Sequence, residues 1–180
     1  MINDFRGRPS ITLTGFMFSG KSRVGRVLAD RLGLGFVDLD SEIERETGSS
    51  VEEIFTRDGE SEFRRLERKA LARVLPRPGQ VVAVGGGAVV DPDNLQIISE
   101  HSCVVWLKVT VQTVMDRWKN SHGRARPLLQ VEDPEREIVR MQDERRQFYS
   151  RCDFSVDSEG FSVEKVVEDI LQCLDTGRSC

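Results

Sequence analysis

The chain has 180 residues, 38% of them hydrophobic and 31% charged, which suits a globular domain with one well-formed core. Its net charge of −4 argues against broad electrostatic binding to nucleic acid, and no apolar run approaches the ~20 residues of a membrane span. The opening Met-Ile-Asn-Asp-Phe-Arg lacks the apolar core of a secretory signal, so a cytoplasmic protein is expected.

The first predicted element is Ile11-Thr-Leu-Thr14, a short β-branched strand. Gly15-Phe-Met-Phe-Ser-Gly20-Lys21-Ser22 follows, then an amphipathic stretch with Val24, Val27, Leu28 and Leu32 at helical spacing, closed by Gly33. Strand, glycine-bounded turn and helix are the context that gives the G-x-x-x-x-G-K-[ST] pattern a mechanism. Backbone N–H groups of the loop and the positive end of the helix form a cradle for a triphosphate. Lys21 is placed to reach the outer phosphates and the Ser22 hydroxyl to ligate Mg²⁺. Binding of ATP or GTP is expected.

Gly35-Phe-Val-Asp-Leu-Asp40 reads as a second strand, with Asp38 and Asp40 leaving the same face near the phosphate loop. Neighbouring carboxylates repel unless cations or hydroxyl donors share their charge, and Mg²⁺–ATP with a polyhydroxy substrate supplies both. The local alternative is a helix N-cap at Asp40 or Ser41 beside an exposed acid. A charge-rich helix follows, and Ser50-Val-Glu-Glu53 is a capping box opening a short helix through Phe55. From about Glu60 to Leu75, Phe63, Leu66, Ala70 and Val74 mark a longer helix that Pro76 stops. Arg64 and Glu67 sit three apart on its face, either as a surface ion pair or as a guanidinium oriented to grip a carboxylate.

Val81-Val-Ala-Val84 is a buried strand ending in Gly85, Gly86 and Gly87, which permit close approach of backbone to a ligand. Asp91-Pro92 starts a helix, Cys103-Val-Val-Trp-Leu107 is another strand, and Val111, Val114, Met115 and Trp118 trace a helical stripe. Residues 121–133 are loop-like, with Gly123 as pivot. The loop from Gly123 to Gln130 is expected to be mobile without ligand, and Arg126 in Arg126-Pro-Leu-Leu129 to neutralise charge on a transferred phosphoryl group. Asp133-Pro134 opens a helix to about Arg151, Phe154-Ser-Val156 is a last strand, and a terminal helix carries Val163, Val166, Val167, Ile170, Leu171 and Leu174. The tail from Asp175 is expected to fray. Arginines 117, 124, 126, 140, 145, 146 and 151 gather in the last third of this acidic chain, as solvated helix faces or as a site for a compact anion. Cys103, Cys152, Cys173 and Cys180 show no C-x-x-C spacing, and two histidines are too few for a zinc site; reduced thiols are expected. Five strands alternating with helices imply a parallel sheet covered on both faces, with ligands beyond the strands' carboxyl ends. No repeat or linker divides residues 1–180, which read as a single domain.

In this order, Phe36-Val-Asp38-Leu-Asp40, Gly59-Glu60-Ser-Glu-Phe63-Arg64-Arg-Leu-Glu67, Gly85-Gly-Gly87, Arg126-Pro-Leu-Leu129 and Glu144-Arg145-Arg-Gln-Phe-Tyr149, following the phosphate loop, resemble the shikimate kinase family from Ile11 to Tyr149. The resemblance implies an α/β, nucleoside-monophosphate-kinase-like three-layer fold with a five-stranded parallel sheet of order 2-3-1-4-5. It implies ATP-dependent phosphorylation of shikimate to shikimate 3-phosphate and ADP, a step toward chorismate and the aromatic amino acids, by a cytoplasmic monomer. Catalytic roles are implied for Lys21, Asp40 and Arg126. Nucleotide contacts are implied for Gly15, Ser19, Gly20, Lys21, Ser22, Arg23, Arg117 (near the adenine) and Arg126, and Mg²⁺ contacts for Ser22 and, through water, Asp38. Asp40, Arg64, Glu67, Gly85, Gly86, Gly87 and Arg145 are implied to hold shikimate. Residues of about 41–70 form the implied substrate-binding segment and about 119–132 the lid. A related gluconate- or nucleotide-type kinase, or a nucleotide-binding regulator without catalysis, are the alternatives. The chain departs from the family pattern at Phe18, where glycine is usual, at Arg23, where threonine is common, and at Gln147-Phe148, where Pro-Leu is usual. If position 18 requires positive φ, a phenylalanine there costs about 1–2 kcal/mol and narrows the cradle.

Overall fold

The computed structural model describes residues 5–121 and 127–178. Strands β1 (Ile11–Thr14), β2 (Gly35–Asp38), β3 (Gln80–Ala83), β4 (Cys103–Lys108) and β5 (Phe154–Asp157) form one sheet of order β2-β3-β1-β4-β5. Every pairing is parallel, with Leu13 of β1 opposite Ala83 on one side and Val105 on the other. The chain leaves β1 toward one edge, returns through β3, and passes β1 to build the other edge. That reversal opens a crevice beyond the carboxyl ends of β1 and β3, where ligands of such sheets bind.

Period-2 side chains of β1 explain the layering. Ile11 and Leu13 face a cluster with Val24 and Leu28 of α1 (Lys21–Leu32) and Val166 and Ile170 of α7 (Val163–Thr176). On the opposite face, Val82 and Val104 pack with Leu39 and Ile43 of α2 (Leu39–Thr47), Ile54 and Leu71 of α3 (Val51–Val74), and Ile98 of α4 (Pro92–His101). A third cluster lies past the strand ends and joins Phe16 to Val114 and Met115 of α5 (Val111–Lys119), Leu129, and Ile138 and Met141 of α6 (Pro134–Tyr149). It couples the phosphate loop to the helices beside it.

Several local expectations hold at the level of the cap. Gly33 closes α1 at φ 67°, Ser50 and Glu53 form both hydrogen bonds of a capping box, and Asp91 and Asp133 cap α4 and α6 ahead of a first-turn proline. The break expected between Phe55 and Glu60 is present: Gly59 within α3 is not helical, at φ 83° and ψ 171°, and separates a short helix from a longer one. Three expectations need correction. Asp38 and Asp40 do not share a strand face: β2 ends at Asp38, whose carboxylate accepts from the Ser41 N–H at 3.4 Å and starts α2, leaving Asp40 in the first helical turn. Capping won because a carboxylate before a helix satisfies an orphan donor. Asp175 and Thr176 are the last residues of α7, capped by Gly177 at φ 69°, rather than the start of a frayed tail. Cys103 and Cys152 are free, whereas Cys173 is disulfide-bonded, against the expectation of reduced thiols. Among the described residues no helix is long and apolar enough to cross a membrane.

Candidate active site

The phosphate loop is shaped by backbone close approach. Gly15 adopts φ 139°, and a Cβ there would lie 2.5 Å from the Leu107 carbonyl of β4. Gly20 at φ 90° carries the chain into α1, whose first turn contains no acidic residue, so its positive end is left to an anion. Lys21 Nζ donates to the Gly15 and Phe16 carbonyls, both at 2.9 Å, which holds the ammonium over the loop. Ser19 is buried and its hydroxyl has no hydrogen-bond partner among the described residues. Arg23 projects from the exposed side of α1.

Phe18 has φ 62°, the left-handed conformation that makes glycine usual at such a position. Its side chain packs against the cluster around Phe16 and Val114, and its carbonyl accepts from Arg117 Nη1 at 2.6 Å. Arg117 Nη2 also donates to the Ser158 carbonyl at 3.3 Å, tying the phosphate loop to the segment after β5. Arg117 therefore stands beside the loop and braces it.

Ser22 Oγ donates to Asp38 Oδ2 at 2.5 Å. One hydroxyl and one carboxylate side by side at the helix start are hard oxygen donors that suit Mg²⁺, which keeps most of its water and takes its other ligands from phosphate oxygens. No cluster of three or more His, Cys, Asp or Glu side chains lies among the described residues, and a phosphate-held Mg²⁺ needs none.

A pocket opens next to this loop. Its polar wall is Asp40 from α2, Arg64 from α3, Arg145 from α6 and the backbone of Gly85, Gly86 and Gly87 after β3. Its apolar wall is Met17, Val51, Phe55, Phe63 and Leu128, with Phe55 and Phe63 ring centroids 4.8 Å apart. Each of the three glycines has a different neighbour to thank. A Cβ at Gly85 would fall 2.7 Å from Glu67 Oε1, at Gly86 3.2 Å from the Gly15 carbonyl, and at Gly87 2.4 Å from Arg64 Nη2. The triplet thus lets backbone, carboxylate and guanidinium converge on one small volume.

Arg64 is held by two acids: Nη1 donates to Glu67 Oε2 at 2.8 Å, and Nη2 and Nε donate to Glu60 Oε1 at 3.0 and 3.2 Å. Glu67 is fully buried while Glu60 is exposed. Burial pushes the Glu67 carboxyl above its ordinary range, against the pull of Arg64, and the negative charges of Asp40 and Asp91 push the same way. Across the pocket, Arg145 lies 5.7 Å over the Phe16 ring and reaches Met141 Sδ at 3.7 Å. Tyr149 donates its hydroxyl to the Gly86 carbonyl at 2.5 Å and stacks on Trp106; burial pushes its pKa up to about 12, so it remains a donor.

The structure therefore gathers Gly15, Ser19, Gly20, Lys21, Ser22 and Asp38 at one end of the crevice, and Asp40, Arg64, Glu67, Gly85, Gly86, Gly87 and Arg145 at the other. Arg126 lies outside the described residues, as does the rest of segment 122–126 in the expected lid. Sequence reasoning missed Met17, Val51 and Phe55 as pocket wall. A signal existed for Phe55 and Val51, which stand four apart at helical spacing on the short helix before Gly59, but nothing local distinguishes pocket wall from core.

The shikimate kinase family model matches residues 17–175. A shikimate kinase of Thermodesulfovibrio yellowstonii is 38% identical over 163 residues, 91% of this chain and 93% of that protein. One from Synechococcus sp. is 44% identical over 166 residues, 92% of this chain and 82% of its own length. Among solved structures, shikimate kinase from Acinetobacter baumannii in complex with shikimate superposes with a TM-score of 0.89 at 34% identity, covering 96% of both chains. The family match spans most of the chain, from within the phosphate loop to the last helix, and the chain belongs to the shikimate kinase family.

Proposed function

We infer that this protein transfers the terminal phosphoryl group of ATP to a hydroxyl of shikimate, giving shikimate 3-phosphate and ADP. The observation that carries the reading is the junction at Gly86 and Met17. A phosphate loop and a pocket holding one carboxylate and two guanidinium groups share that wall, so a nucleotide's outer phosphates and a small carboxylated polyol meet there.

Catalysis on this reading is positioning and charge neutralisation. Lys21 leaves the loop carbonyls for the outer phosphates, and loop N–H groups hold the rest of the anion. Ser22 and Asp38 would hold Mg²⁺, which would supply charge neutralisation on the phosphates. Arg64 and Arg145 grip the substrate carboxylate from two sides, and bidentate guanidinium contacts fix the ring's direction. Asp40, on the pocket wall, receives the ring hydroxyls and accepts the proton of the attacking one. Phe55, Phe63 and Met17 keep water from the ring face. Segment 41–70 supplies Phe55, Phe63 and Arg64 to the pocket, and Arg126 acts from the lid on the transferred group.

The test is ADP production measured with shikimate, gluconate and a nucleoside monophosphate as separate acceptors, with and without Mg²⁺. Shikimate- and Mg²⁺-dependent turnover is expected. Turnover with gluconate or the nucleotide in its place would reassign the pocket, and ATP binding with no phosphorylated product would make the chain a nucleotide-binding regulator.

A further inference from the structure

Glu67 is more than an orienting partner for Arg64. It is fully buried, and one of its oxygens, Oε1, has no hydrogen-bond partner among the described residues. Oε1 and Asp40 Oδ1 flank the same point, 2.7 and 3.4 Å from where a Cβ on Gly85 would sit, so two carboxyl groups crowd one glycine. An unpartnered, buried carboxylate oxygen beside a second carboxylate is an expensive arrangement, and a proton on one of the two relieves it. The charges around Glu67 are Asp40 from α2, Glu60 and Arg64 from its own helix, and Asp91 ahead of α4. Arg145 and the neutral Tyr149 of α6 face the same pocket. Among the described residues Arg64 is the single cation paired with Glu67, and it already serves Glu60.

A substrate carboxylate arriving at Arg64 changes that balance. If Glu67 kept its charge, the guanidinium would face three carboxylates, and its attraction for the newcomer would be largely spent on the two it holds. Exchange is cheaper: the incoming carboxylate takes over as counter-ion, Glu60 swings to solvent, and Glu67 remains as a neutral acid whose carbonyl oxygen still accepts from Arg64. Its Oε1–H then points toward Asp40 and the ring hydroxyls. Asp40 stays ionised and able to accept a proton.

We propose that Glu67 takes up one proton from solvent when the substrate carboxylate reaches Arg64, making Glu67 a proton-linked positioning residue for the shikimate pocket. The proposal rests on the reading of that pocket as the shikimate site.

Titration calorimetry of the whole protein with shikimate, in buffers of different ionisation enthalpy from about pH 5 to about pH 8, counts the protons exchanged. Uptake is expected in wild type, with affinity falling as pH rises by up to about tenfold per unit where the linkage is strongest. Glu67→Gln keeps an acceptor for Arg64 and lacks the titrating group, so it is expected to bind with no proton uptake and a flat pH profile. Binding by wild type without uptake at any pH in the range would overturn the proposal, as would undiminished uptake by Glu67→Gln, which would move the proton to Asp40. Absence of any saturable heat with shikimate in wild type would overturn the pocket reading itself, and the proposal with it.

Discussion

Phe18 is a phenylalanine at φ 62° inside a phosphate loop, and its strain separates from its packing by substitution. Both Phe18→Ala and Phe18→Gly lose the contacts with the cluster around Phe16 and Val114; only glycine also relieves the left-handed backbone, worth about 1 kcal/mol. Thermal unfolding should therefore place the alanine variant roughly 2–4 °C below the glycine variant, and equal midpoints would mean the loop relaxes without strain. At Lys21 and Arg64 the division of labour is kinetic. Lys21→Met removes a charge expected to act on the transferred phosphoryl group and should lower kcat by about 10²-fold or more. Arg64→Ala removes a charge-assisted contact to the substrate carboxylate and should raise KM for shikimate by roughly 10–100-fold. Steady-state assays with each substrate varied decide the split, and a shikimate KM unaffected by loss of Arg64 would contradict it.

Helix α3 is the element on which the substrate pocket turns. Its first part carries Val51 and Phe55, its second Phe63, Arg64 and Glu67, and Gly59 sets the angle between them. A Cβ at Gly59 meets nothing within 4 Å, so Gly59→Ala is a purely backbone change, costing about 1–2 kcal/mol at φ 83°. The kink should shift and raise KM for shikimate several-fold with KM for ATP little changed, which assays of both substrates measure. This element also shows where sequence reading stops. Phe63, Leu66, Ala70 and Val74 mark a helix by period alone, and Gly59 reads as a break. The angle between the two halves, which brings Phe55 and Phe63 ring centroids to 4.8 Å, is written in no local pattern. Asp38 and Asp40 failed for the opposite reason: both a strand end and a helix start were legible, and the competition between them was decided by one cap to Ser41. The phosphate loop was legible whole, because glycine, lysine and serine each do chemistry no other residue type supplies there.

At the scale of the molecule, the two ligand sites share their supports. Gly86 is wedged against the Gly15 carbonyl and held from α6 by Tyr149, while Phe16 underlies Arg145 and anchors the cluster joining α5 and α6. Whatever binds the phosphate loop and whatever binds Arg64 therefore brace the same β1, β3 and α6 contacts, and both should stabilise the fold by mass action. At about 100 times its dissociation constant, each ligand contributes about 2.7 kcal/mol, which for a chain of this size raises the unfolding midpoint by roughly 5–10 °C. Mg²⁺–ADP and shikimate should each produce such a rise in wild type. Arg64→Ala should keep the nucleotide's rise and lose most of shikimate's at the same concentration, because its guanidinium is on the pocket wall and not in the phosphate loop. Loss of both rises in that variant would show that Arg64 supports the crevice as a whole, and the separation of roles between loop and pocket would then fail.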